Sequence, residues 1–337
     1  MTVHARPAAT APASRPQRPA WRWLALAALL PLVLALAACG SGDSGADDAE
    51  ARAADAALRA YQQEILDWRQ QRLRSLQRPD GWLSLVGLHW IKPGPTFVGS
   101  ARDNGTRLGL GPAYIGMLNL GKDGTLSLDI HASAEGEISI DGEPASGKVL
   151  LRSDRQGGPS VVGFNRGDAS FIVIQRGDRF ALRVRDAMAR TRTRFPGIDY
   201  FEIDPAFRFR ARLEPAPAGA TMEIIDVNGI VEKMPYIGRV HFQKDGQAYS
   251  LEAVDQGDGR LFFTFADRTS GHESYPAARF LYADPPGPDG TVDLDFNRAY
   301  NPPCAFTEFS TCPLPPPANR LDLRVTAGEK KPLPWPQ

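Results

Sequence analysis

The sequence predicts a mainly β protein, built as two sandwich- or barrel-like halves behind one long N-terminal α-helix. Three observations carry this. Short apolar runs of strand length, separated by glycine turns, recur from Trp82 to the C-terminal region. The chain holds 32 glycines and 29 prolines among 337 residues, a density that makes many turns and few long helices. Helical periodicity is confined to one early stretch, where Leu58, Tyr61, Ile65, Trp68 and Leu73 recur at three- to five-residue intervals among Arg, Gln and Glu.

The first element is a leader over residues 1–38. Arg6, Arg15, Arg18 and Arg22 precede an uncharged run from Trp23 to Ala38 that ends in small residues, which is the layout of a secretory signal. The run is sixteen residues long, short of the roughly 20 that span a bilayer as a helix, so a retained anchor is the weaker reading. Leu36-Ala37-Ala38-Cys39 resembles a bacterial lipobox, in which the cysteine is acylated and the leader removed. That resemblance implies an exported protein, attached to membrane by lipid at Cys39 and facing the periplasm. Gly40, not Asp, follows the cysteine, which by the same resemblance favours the outer membrane over the inner.

Residues 39–48 are Gly, Ser, Ala and Asp after the cysteine and read as a flexible tether. An amphipathic helix segment follows over 49–78, helical from Ala49 to Leu76 and stopped by Pro79-Asp80-Gly81. The first β half is assigned to 79–190. Its strands are expected at Leu83–Ile91, Ile115–Leu120, Thr125–Ile130, Glu137–Ile140, Lys148–Leu151, Ser160–Phe164, Ser170–Gln175 and Arg179–Val184. Lys122-Asp123-Gly124, Ile140-Asp141-Gly142 and Arg176-Gly177-Asp178 supply turns. The second half, 191–330, is expected to hold Arg208–Leu213, Met222–Val227, Tyr236–Gln243, Gln247–Val254, Arg260–Phe265, Arg279–Tyr282, Val292–Phe296 and Leu321–Thr326. Asp186–Asp204 joins the halves, and 331–337 is a loose Lys- and Pro-rich tail.

Composition excludes some functions. Lys+Arg and Asp+Glu are 39 each, so no global field draws nucleic acid, and none is expected as a partner. No Gly-x-Ser-x-Gly elbow, phosphate loop, dinucleotide fingerprint or His-Glu-x-x-His motif occurs, and no cofactor is expected. The histidines are scattered at His4, His89, His131, His241 and His272, which gives zinc no paired ligands. His272-Glu273-Ser274 is not a triad by adjacency, because neighbours on a strand face opposite ways. Trp82 and Trp90 read as core filling before stacking platforms. Cys304 and Cys312, close together in an oxidising compartment, read as a structural disulfide; the Cys-x-x-Cys spacing of a redox pair is absent.

One block is not generic: Asp295-Phe296-Asn297-Arg298-Ala299-Tyr300-Asn301-Pro302-Pro303-Cys304-Ala305-Phe306, then Cys312-Pro313-Leu314-Pro315-Pro316-Pro317, Asn319-Arg320-Leu321 and Ala327-Gly328-Glu329-Lys330. With Asp80-Gly81-Trp82-Leu83-Ser84-Leu85-Val86-Gly87-Leu88-His89-Trp90, it resembles the bacterial and archaeal "domain of unknown function 1684" family, over about Trp68 to Lys330. Arg176-Gly177-Asp178-Arg179, Asp199-Tyr200-Phe201 and Asp267-Arg268-Thr269 leading to Arg279-Phe280 agree, while Ala278 stands where that family usually has glycine. The resemblance implies motif positions and no activity. The first half also resembles a forkhead-associated sandwich at Val98-Gly99-Ser100, Leu108-Gly109-Leu110 and Ile138-Ser139-Ile140-Asp141-Gly142, but the Ser-x-x-His element of that fold's phosphothreonine site is missing.

Arg279, Asp295, Asn297, Asn301, Arg320 and Glu329 are the candidate ligand pocket. Arginine suits bidentate capture of carboxylate or phosphate, and buried carboxylates suit acid–base work. Two functions follow: an envelope module binding a small ligand or an envelope protein, or a hydrolase with Asp295 or Glu329 as base and Arg279 or Arg320 as anion clamp. The structural alternative is that these groups satisfy the backbone of the proline-dense segment, which cannot join a sheet ladder.

Overall fold

The long helix sets the entry to the body. The computed structural model describes residues 44–335; the leader, Cys39 and residues 39–43 of the tether lie outside the described residues. Asp55–Gln337 forms one unit that contains both halves, and the contacts below are within it. Helix α1 spans Ser44–Leu76, five residues earlier than expected, and so takes in 44–48. The cause is local: Asp47 lies in the first turn, where negative charge suits the helix dipole, and the alanines that follow are strong helix formers. Tyr61, Ile65 and Leu76 are buried, whereas Leu58, expected on that face, is 41% exposed. Gly81 lets the chain turn back under the helix end, because a Cβ there would stand 2.7 Å from the carbonyl oxygens of Ser75 and Leu76.

The first half contains β1 (Leu85–Ile91), β2 (Gly94–Gly99), β3 (Thr106–Arg107), β4 (Gly116–Leu120), β5 (Leu126–Ile130), β6 (Ser139–Ile140), β7 (Glu143–Pro144), β8 (Lys148–Leu151), β9 (Val161–Phe164), β10 (Ala169–Arg176) and β11 (Arg179–Asp186). They form a six-stranded sheet in the order β1-β11-β10-β9-β6-β7 and a five-stranded sheet in the order β3-β2-β4-β5-β8. Val98, Leu118, Leu128 and Leu151 of one sheet meet Phe164, Phe171, Val173 and Val184 of the other in a single core, so this half is a sandwich. The three expected turns join β4 to β5, β6 to β7 and β10 to β11. Strands β2, β3 and β7 were not expected; β2 carries Pro95 and two glycines, and its pairing with β4 is tertiary.

Residues 187–207 are irregular apart from the short helix α2 (Arg190–Thr193) and a 3-10 turn at Pro205–Phe207. Then come β12 (Arg208–Pro215), β13 (Thr221–Ile225), β14 (Val231–Lys244), β15 (Gln247–Val254), β16 (Leu261–Phe265), β17 (Arg279–Ala283) and β18 (Thr291–Asp295). One sheet, in the order β17-β16-β15-β14-β12-β18 with β13 beside β14, curls into a half-barrel. Phe209, Phe242, Phe265 and Phe296 fill it, with Phe209 and Phe296 edge-to-face at 5.8 Å. Leu321–Thr326, expected as a strand, is an extended strap instead. Its alternation is real, since Leu321, Val325 and Ala327 are buried. Its backbone groups, however, go partly to side chains, as the site makes clear.

Candidate functional site

The expected pocket resolves into three buried polar knots around the C-terminal segment. In the first, Asp295 closes β18 and caps the 3-10 turn Phe296–Arg298, its Oδ1 accepting the Asn297 N–H at 2.9 Å. The Tyr61 hydroxyl donates to the Asp295 carboxylate at 3.0 Å. Asn297 Nδ2 donates to Tyr61 Oη and to the Asp204 carbonyl, both at 2.8 Å, and Asn297 Oδ1 accepts the Asp204 N–H at 2.9 Å. Burial raises the Asp295 pKa, opposed by the donors around it, and burial together with Asp295 pushes the Tyr61 hydroxyl up.

In the second knot, Glu329 is fully buried. Its Oε1 accepts Arg72 Nε at 2.9 Å and its Oε2 accepts the Asn301 N–H at 2.7 Å. Arg72 also donates to the Asn301 carbonyl at 2.9 Å and lies over the rings of Trp82 and Tyr300, 4.7 and 4.6 Å from their centroids. Asn301 Nδ2 donates to the Lys330 carbonyl at 2.7 Å. Gly328 makes this approach possible: it sits at φ +80°, and a Cβ there would lie 2.3 Å from the Ala299 carbonyl oxygen.

In the third, Arg279 is 1% exposed. Its guanidinium donates to Asp267 Oδ1 at 3.2 Å and to the carbonyls of Val325 and Ala327 at 2.9 and 2.5 Å. Asp267 in turn accepts the Val325 N–H at 2.8 Å. Over Val325–Ala327 two side chains thus take the place of a neighbouring strand, whereas the Leu321 N–H and the Leu323 carbonyl bond to the backbone of Ala266 and Arg268.

These arrangements correct the pocket expectation. Arg279, Asp295, Asn297, Asn301 and Glu329 are buried, and what they hold is mostly backbone. Arg320 is exposed and meets none of them; only its backbone pairs, with Ala266. Ser274 is buried against Thr269 at 2.7 Å, and Glu273 is paired with Arg324 at 2.6 Å, so His272-Glu273-Ser274 makes no triad. Among the described residues no group of three His, Cys, Asp or Glu is placed to hold a metal ion.

Cys304 and Cys312 are disulfide-bonded, with Cα atoms 6.2 Å apart. The loop they close joins the halves. Thr311 Oγ1 accepts Arg176 Nε at 3.0 Å and Arg183 Nη2 at 3.2 Å from the first half. Toward the second half, the Cys312 carbonyl accepts the Val227 N–H at 3.0 Å.

Open space lies elsewhere. A cleft of about 440 Å³ runs beside α1, lined by Leu66, Arg69, Leu73, Ile198 and Tyr200 among others. A larger one, about 730 Å³, lies between the halves, with Asp154, Arg155 and Arg176 on one side, Glu232, Lys233 and Met234 on the other and Thr311 between. Arg176 stands in the Arg176-Gly177-Asp178-Arg179 motif, whereas Thr311 and Arg183 carry no sequence signal, because only the fold brings them together.

Residues 193–330 match the model of the family described as "Protein of unknown function (DUF1684)". The chain is also similar to an uncharacterized protein of Haloarcula marismortui whose solution NMR structure is known. Identity is 32%, over 41% of this chain and 78% of that one, with a TM-score of 0.35. Residues 193–330 are a DUF1684 segment. No curated protein matches it. The DUF1684 match covers all three knots' C-terminal residues and begins well after Trp68, so the Asp80–Trp90 stretch expected to belong to it falls outside. Tyr61 and Arg72, which complete two of the knots, also precede the matched DUF1684 segment.

Proposed function

We propose that this chain is a lipid-anchored protein of the cell envelope whose body binds a small ligand or an envelope partner. The arginine-rich leader and Leu36-Ala37-Ala38-Cys39 support the anchor, and the disulfide agrees with an oxidising compartment. The observation that carries the binding reading is the separation of polar knots from open space. The groups best suited to acid–base work are spent holding the C-terminal strap, while the larger cleft lies at the junction of the halves. That is a common place for a ligand site, and its volume is of ligand-binding size. The hydrolase reading has less support, since Arg279 and Glu329 are closed off from solvent and have protein partners.

Two measurements test the proposal. Palmitate labelling and sedimentation with outer-membrane fragments are expected for the wild type and lost in Cys39→Ser. Binding at the cleft is expected to be lost in Met234→Trp, which fills it, with the melting temperature nearly unchanged. A labelled Cys39→Ser protein overturns the anchor, and undiminished ligand binding by Met234→Trp overturns the cleft.

A further inference from the structure

We propose that the cleft between the halves takes a small oxyanion-bearing ligand, a carboxylate or a phosphate, seated against Arg176 and Thr311, with Arg183 behind Thr311. This rests on the cleft reading above and adds the ligand's chemistry.

The outer face of the six-stranded sheet is arginine-rich for a simple reason. Side chains alternate along a strand, so Arg179, Arg183 and Arg185 of β11 share one face, joined by Arg176, which is paired in register with Arg179. Compensation is thin. Arg176 has Asp154 at 2.7 Å, but among the described residues no carboxylate oxygen comes within 4.0 Å of Arg183 or Arg185. Asp80, the acid nearest in effect to Arg185, is held by Arg78 at 2.8 Å.

A threonine hydroxyl has two acceptor lone pairs and one proton to donate. Arg176 Nε and Arg183 Nη2 both donate to Thr311 Oγ1, so its acceptor capacity is filled and its own proton has no protein acceptor. The Nε atoms of Arg183 and Arg185 are buried donors without partners. Every unmatched group among Thr311, Arg183 and Arg185 is a donor, and Arg176, Arg183 and Arg185 together have one carboxylate, Asp154, within 4.0 Å of them. An anionic acceptor answers both, and Thr311 lines the cleft from which one would enter. Burial, with the neighbouring Arg176 and Arg185, holds the Arg183 pKa down at about 10, and Asp154 opposes them only in part.

The cleft's own acids do not fill the role. Asp226 Oδ1 accepts the N–H groups of Asn228 and Ile230 at 2.8 and 2.9 Å, and Asp255 Oδ1 accepts that of Gly257 at 2.7 Å. Glu232 is paired with Arg155 at 2.5 Å. The disulfide at the adjacent Cys312 fixes Thr311 in place, so the seat is preorganised.

The test is calorimetric titration of the full chain in detergent micelles with inorganic phosphate and, separately, acetate, at constant ionic strength with chloride as control. One of the two oxyanions is expected to saturate a single site, and which one names the ligand's head group. Thr311→Val, which keeps the side-chain shape, and Arg183→Gln are each expected to weaken binding at least tenfold. Heat no greater than that of chloride overturns the inference, as does binding that both variants leave unchanged. If neither oxyanion binds, yet a molecule copurifies with the wild type and not with Met234→Trp, the oxyanion assignment fails and the cleft reading stands. If nothing copurifies either, both fail.

Discussion

Tyr61 on α1 and Asp295 at the end of β18 are 234 positions apart and share a buried hydrogen bond of 3.0 Å. The bond fastens the helix to the end of the half-barrel, and Asn297 extends it to Asp204 in the linker between halves. It also fixes how Asp295 responds to acid. Burial raises its pKa in the folded state above the ordinary 3.8. Between 3.8 and that raised value the folded protein binds more protons than the unfolded chain. Asp295 therefore favours folding less as pH rises through this window. Relative to Asp295→Asn, the wild type should lose stability from pH 3.8 upward until Asp295 is ionised in the fold, then run parallel. Urea unfolding of both proteins across pH 3–7 measures the difference. A difference that grows in the wild type's favour with rising pH would mean that the hydrogen-bond donors outweigh burial.

Glu329 carries a different load. It accepts from Arg72 and from the Asn301 backbone with no exposure to water, ahead of two prolines that cannot donate. Removing it leaves Arg72, whose side chain is 9% exposed, without its counter-charge. Breaking a buried pair from one side typically costs roughly 3–5 kcal/mol. Glu329→Ala is therefore expected to be severely destabilised in urea, while Glu329→Gln, which still accepts the Asn301 N–H, loses less. Equal losses would show that the charge contributes nothing beyond the hydrogen bond.

The disulfide acts on the same segment from the other side. A loop closed over a sequence separation of 8 is worth about 2–3 kcal/mol on the chain-entropy model. Thermal melts with and without reductant should differ accordingly. Hydrogen exchange should rise first at the Val227 N–H, which bonds to the Cys312 carbonyl. If reduction speeds exchange throughout the protein equally, the loop is not a local latch.

Local signals were legible where local chemistry decides. Gln247–Val254 and Lys148–Leu151 were expected with the boundaries they have, because alternation and flanking turns lie in the same few residues. Leu321–Thr326 misled for a physical reason. Alternation reports which face is buried, not which groups bond the backbone, and here Asp267 and Arg279 bond part of it. The same holds for the site. Arg279, Asp295, Asn297, Asn301 and Glu329 stood out because polar groups cluster around a proline-dense run, but Tyr61 and Arg72, which help seal two of the knots, come from the distant α1. Arg183 and Thr311 lie 128 positions apart and meet only through the packing of one half on the other.

Gly328 gives the sharpest test of the strap as a folding device. Its φ of +80° disfavours any side chain, and a Cβ would stand 2.3 Å from the Ala299 carbonyl oxygen and 2.8 Å from that of Phe296. Both contacts are backbone, so no flexible side chain can yield. The Phe201 N–H donates to the Gly328 carbonyl at 2.9 Å, and the neighbouring Glu329 carries the Arg72 pair. A shift at 328 therefore pulls on the linker and on α1 together. Positive-φ strain alone costs roughly 1–3 kcal/mol, and the clash adds to it. Gly328→Ala is expected to lower the melting temperature more than Gly290→Ala, which also has positive φ (+76°) but meets nothing closer than 4.0 Å. Similar losses in the two variants would reduce the Gly328 requirement to backbone conformation, and the close approach to Ala299 would then have no part in holding the strap.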